Sequence, residues 1–310
     1  MAAVFTPVAA ATLVCAAQLV NSTSESEKVY VGILDDAREE IWRGKTGVID
    51  RRIVMPAFEK SDSEWRTVTC FRPPKVKWTV AFDGKTLGQI ESQASPDEGN
   101  ADQINSNFSR AKQIILTSFA DVPTVGKASQ EFTGVSSLLG LTTVRRPLVV
   151  VSKPYYSDPD HWKRALLPEE IAQIVRQAFR RQYPHVDRCE QEQIAERDWK
   201  FPDSALVVVT AYASNKNSYL VAVSLNAGDC GWGGQPDDPL DSFVHQWFFV
   251  AADHSVRRIG GFEKLLDAGD YDNDGRSELI FFSTRSESSD AYDLLYAEFR
   301  KKVDLEVGYR

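Results

Sequence analysis

Asp270-Tyr-Asp272-Asn-Asp274-Gly275-Arg276-Ser-Glu278, running directly into Leu279-Ile280-Phe281-Phe282, is the stretch on which the reading of this sequence turns. Its second half is a short apolar and aromatic run that reads as a strand. Its first half is a tight loop with carboxylates at every second position, a glycine after the third and one more acid three residues on. Alternate residues of such a loop can point inward together, and calcium, a hard cation, takes six to eight oxygens at about 2.3–2.6 Å. The expected ligands are therefore Asp270, Asp272 and Asp274 at positions 1, 3 and 5, the Arg276 carbonyl at position 7 and Glu278 at position 9. Gly275 supplies the sharp turn. The competing reading, a solvated acidic turn, does not require this regular spacing.

An EF-hand needs its bidentate acid at position 12, where this chain has Phe281. A dockerin-type loop fails at the same place. An acid at position 9 leading straight into an apolar strand resembles instead the calcium loop of FG-GAP repeats, as in integrin-type propellers. The preceding Ala268-Gly269 and the run Glu278 to Phe282 carry the resemblance, which covers one copy only. It implies a bound Ca2+, but not a propeller, which needs about 4–8 blades.

Around the loop, the C-terminal half alternates strands and turns. Ala205 to Tyr212 and Ser218 to Leu225 form one expected hairpin, and Gln246 to Val250 with Val256 to Ile259 another, turning at Asp253-His254. Further strands run from Leu294 to Arg310. Pro168-Glu-Glu170 opens the one strong helix, expected over about 168–183, with acids at the positive end of its dipole. Ile171, Ile174, Val175, Ala178 and Phe179 recur at helical spacing, and Arg176, Arg180 and Arg181 crowd the far end before Tyr183-Pro184.

The N-terminal half is read as strands, apart from a polar stretch over 94–110 that is mostly loop and a middle from Ile114 to Gly140 without a firm period. Lys75 to Phe82, Asp83-Gly84 and Lys85 to Ile90 make its clearest hairpin, since Asp-Gly is a favoured two-residue turn. Lys28 to Leu34, Arg52 to Phe58, Trp65 to Thr69 and Val144 to Ser152 are further strands, with Pro56 expected to hold its strand at a sheet edge. The fold class is thus α+β and β-rich, with mainly antiparallel sheets, one amphipathic helix and the calcium loop in the C-terminal half. The expected organisation is a signal peptide over 1–20, a β-rich N-terminal region over 28–152 and an α+β domain over 160–310. The loop Lys153 to Asp160 marks the boundary.

Ala2 to Val20 carries no charge and gives way to polar residues at Asn21, the form of a secretory signal; an uncleaved membrane anchor is the alternative. Cys15, Cys70, Cys189 and Cys230 are the cysteines, with Cys189 and Cys230 the natural disulfide pair and buried thiols the alternative. The net charge of -8 argues against nucleic acid as a partner. His161, His185, His245 and His254 lack zinc-ligand spacing, and no GxSxG or phosphate-cradle motif is present. Asp237, Asp238 and Asp241 form a poorer cation candidate, and Trp232 lies among glycines that favour a loop. The expectation is a secreted or periplasmic, non-catalytic binding or structural protein stabilised by one Ca2+, with an unidentified protein or carbohydrate partner. The alternatives are an extracytoplasmic hydrolase of polysaccharide or peptide, and a calcium-dependent adhesin.

Overall fold

The computed structural model describes residues 28–36, 52–68, 75–94, 114–115, 131–132, 144–188, 196–226, 245–286 and 289–308. The expected signal segment, all four cysteines, Trp232 and Asp237, Asp238 and Asp241 lie outside these residues. The N-terminal strands are β1 (Val29–Asp36), β2 (Arg52–Ser61), β3 (Glu64–Thr67), β4 (Lys75–Phe82), β5 (Lys85–Ala94), β6 (Ile114–Ile115), β7 (Glu131–Phe132), β8 (Val144–Arg145) and β9 (Leu148–Val151). Then follow β10 (Lys163–Arg164), the helix α1 (Glu169–Gln182), β11 (Val186–Arg188), β12 (Glu196–Trp199), β13 (Leu206–Ala213) and β14 (Tyr219–Leu225). The chain continues through β15 (His245–Val250), β16 (Val256–Phe262), β17 (Lys264–Gly269), β18 (Glu278–Ser286), β19 (Ser289–Tyr296) and β20 (Lys301–Gly308). The β-rich α+β class is as expected: the sheets are antiparallel, and α1 is the one α-helix among the described residues.

The N-terminal sheet closes on itself. Its strands run in the order β1-β9-β4-β5-β6-β2, and β2 pairs again with β1, with β3 added beside β2. The ring is completed by β6 through two residue pairs with β5 and two with β2. Leu34, Val54, Trp78, Val80, Ile90, Leu148 and Val150 fill the interior. Their neighbours Val31, Ile33, Met55, Val149 and Val151 point to the outer face, as the period of two requires. The β4–β5 turn places Asp83 and Gly84 at φ 46° and 74°, the left-handed pair that a two-residue hairpin needs.

Pro56 departs from expectation, because β2 is paired on both sides. It sits opposite Gly32 beside a register shift against β1, between the short pairings with β6 and with β3 on the other side. A residue without an N–H is tolerated at such a bulge as it is at an edge.

The remaining elements stack outward from this barrel. The sheet β17-β18-β19-β20 lays Leu266, Ile280, Phe282, Tyr292 and Leu294 on the barrel's outer face. Its opposite face, with Leu279, Phe281 and Leu295, packs on Leu220, Ala222 and Trp247 of the sheet β10-β13-β14-β15-β16. That explains why Leu279 to Phe282 is apolar without interruption: β18 is buried on both faces. The Phe281 ring lies 4.9 Å from Trp247 and 4.3 Å from Phe262. The far face of the second sheet carries α1, which buries Ile171, Val175 and Phe179 against Val221, Val223 and Phe248. Arg180 and Arg181 fall in the last turn of α1, and the Tyr183 N–H closes it on the Phe179 carbonyl at 2.8 Å. No helix among the described residues is long and apolar enough to cross a membrane.

Candidate metal centre

The loop from Asp270 to Ser277 joins β17 to β18, whose register brings Gly269 opposite Glu278. Its shape comes from carboxylates turned back onto their own backbone. Asp270 accepts from the Asp274 N–H at 2.9 Å and from the Gly275 N–H at 2.7 Å. Asp272 accepts from the Asp274 N–H at 3.0 Å, and Asp274 from the Arg276 N–H at 3.0 Å. Asn273 and Gly275 take φ 63° and 84°. A side chain at Gly275 would meet open space, so it is the left-handed backbone and not crowding that calls for glycine there.

Asp270, Asp272 and Glu278 converge: each can offer an oxygen, and these atoms lie within 4.8 Å of one another. This group of three acids could hold a metal ion. Glu278 is 3% exposed and Asp270 6%. Burial, with Asp272 close by, pushes the Glu278 carboxyl up to about 9, although the Tyr271 N–H donates to it at 3.0 Å. Burial also raises Asp270, against the pull of its two backbone donors. Asp274 and Arg276 are exposed, and Asp274 stands outside the group of three.

Several partners of this loop carry no local sequence signal. The Lys60 ammonium, from β2 of the barrel, bonds Asp272 and lies 3.9 Å from Asp274. From the stretch Lys153 to Asp160, the Ser157 carbonyl accepts from the Asp270 N–H at 2.8 Å. Asp158 accepts from the Ser277 hydroxyl at 2.6 Å and from the Trp162 N–H at 2.6 Å. The stretch read as a boundary thus clamps the loop, across 119 residues in the case of Asp158 and Ser277. His161, His185 and His254 are exposed, and the one group of three or more potential metal ligands among the described residues contains no histidine. Burial lowers the His245 imidazole. No family model, curated protein or solved structure matches this chain.

Proposed function

We propose that this chain is an extracytoplasmic, non-catalytic binding or structural protein whose C-terminal sheet is pinned by one calcium ion in the loop 270–278. The observation that carries the reading is the convergence of three carboxylates, two of them almost wholly buried, in a loop that resembles the FG-GAP calcium loop. Like charges held this close disfavour each other's ionised forms, and burial adds to that cost. A divalent cation offsets both, and an all-oxygen donor set suits calcium. Asp270, Asp272 and Glu278 would hold the ion by side chain, with Asp274 and the Arg276 carbonyl completing the shell. The charge so neutralised fixes the entry to β18, the strand buried between two sheets.

Calorimetric titration of the full chain tests this. Calcium is expected to bind at one site and magnesium far more weakly, because magnesium demands an octahedral shell and dehydrates reluctantly. Asp270→Asn should abolish the calcium heat. A wild-type chain that takes up no calcium refutes the reading.

A further inference from the structure

Another buried acid lies at the seam between the barrel and the central sheet. Asp267, on β17, is 4% exposed and meets groups from four separate segments. One oxygen accepts from the Asp83 N–H of the β4–β5 turn at 3.1 Å. The other lies 2.5 Å from the Tyr156 hydroxyl and 3.0 Å from the Tyr271 hydroxyl. Tyr156 and Tyr271 stack on each other at 5.7 Å between ring centres. Arg146, just before β9, bonds the Leu266 carbonyl and reaches Asp83 at 3.2 Å. A Cβ on Gly269 would run into the Tyr156 ring, so only glycine admits that ring here.

The protons in this cluster can be counted. The Tyr156 oxygen lies 2.5 Å from the Asp267 carboxyl and 2.7 Å from the Ala268 carbonyl. A hydroxyl has one proton to donate and can accept two. With Asp267 ionised, that single proton must choose between carboxylate and carbonyl, leaving one oxygen pair in contact with no hydrogen between them. With Asp267 protonated, every contact is a hydrogen bond. The carboxylic acid donates to Tyr156, Tyr156 donates to the Ala268 carbonyl and Tyr271 donates to Asp267. The groups that face Asp267 are the linker's Tyr156 with Asp158 beyond it, Tyr271 with Glu278 beyond it, Asp83 from the turn and Arg146 from the barrel. Arg146 is the one cation of the set, and it is engaged by the Leu266 carbonyl and by Asp83.

We propose that Asp267 is a proton-operated latch between the barrel and the central sheet, closed when its carboxyl is neutral and weakened when it ionises. Burial pushes this carboxyl up to about 7, which puts the change near neutral pH. Because the folded chain holds this proton more tightly than the unfolded one, the latch contributes fully in acid. Its contribution declines as pH rises above the ordinary aspartate range and is gone above about 7. The inference is independent of calcium, so the experiment is run in EDTA.

Urea unfolding of the full chain is compared with that of Asp267→Asn at pH 5 and pH 8. The amide mimics the neutral acid, so other titrating groups cancel in the difference. The wild-type folding constant should fall roughly 10- to 100-fold more than the variant's between the two pH values. In carbon-13 spectra, the carboxyl resonance lost in Asp267→Asn should titrate near neutrality in the wild type. Parallel stability profiles, or titration in the ordinary aspartate range, overturn the latch. Failure of the amide variant to fold overturns it equally, because a neutral side chain is what the site is said to prefer.

Discussion

The two larger sheets of the C-terminal half are both antiparallel and pack face to face, yet they bury different chemistry. The sheet under α1 encloses a core of Ile171, Val175, Phe179, Val221, Val223 and Phe248. Its buried polar side chains, Ser218 and Gln246, are neutral, and Gln246 is held by Arg258 at 2.7 Å. The sheet β17–β20 and its loop bury Asp267, Asp270, Glu278, Asp290 and Asp293. Three of them meet different partners: Asp293 pairs with Lys302 at 2.8 Å, Asp270 accepts from backbone N–H groups, and Asp267 lies against two tyrosine hydroxyls. The core of the first region is apolar. The second gives up stability to bury ionisable side chains, an arrangement that clusters at functional sites.

The largest effect should separate the two regions. Phe179→Ala empties a site that is 0% exposed and should cost about 3–5 kcal/mol, with a loss that changes little between pH 5 and pH 8 or on adding calcium. Urea unfolding under the four conditions would show it. On the acid side, Lys302→Met removes the cation beside buried Asp293. Since Lys302 is itself 43% exposed, the expected loss is about 1–2 kcal/mol. Glu278→Gln runs the opposite way. Without metal it should raise stability by about 1 kcal/mol at pH 8, because a buried carboxyl no longer has to ionise or compete for protons. The metal-free wild type should lose stability as pH climbs from the ordinary glutamate range towards about 9, and this part of the slope should vanish in the variant. Smallest of all, Glu169→Ala removes a surface pair with Arg176 at 2.8 Å and one acid from the first turn of α1, and should change the unfolding free energy by less than about 1 kcal/mol.

The same contrast explains how far the fold could be read before the structure. The β4–β5 and β13–β14 hairpins and α1 each carry their signal within about twenty residues: a turn dipeptide, an alternation or a helical stripe of apolar residues. The acidic loop was legible for the same reason, since its spacing is local. Barrel closure was not, because it rests on β6, two residues long, and on β2 pairing along both sides. Nor was the expected edge position of Pro56 reliable, as a bulge accepts proline equally well. The partners of the loop are farther still. Lys60 and Asp272 are 212 residues apart, and Tyr156 and Asp267 are 111 apart in a stretch that composition marks as a linker. Nothing in a lysine on a strand announces a carboxylate in another sheet. Asp267 itself reads as one more polar residue before Ala268-Gly269, and only burial sets it apart.

The most direct test of the calcium site is a thermal melt of the full chain in EDTA and in millimolar calcium, with Glu278→Gln alongside. A ligand present at 100 times its dissociation constant and bound only to the folded state adds about 2.7 kcal/mol. Calcium is expected to raise the wild-type midpoint by several degrees and to leave Glu278→Gln unmoved. Coincident wild-type melts in EDTA and calcium would contradict the site, and the buried acids of β17 and β18 would then need another explanation.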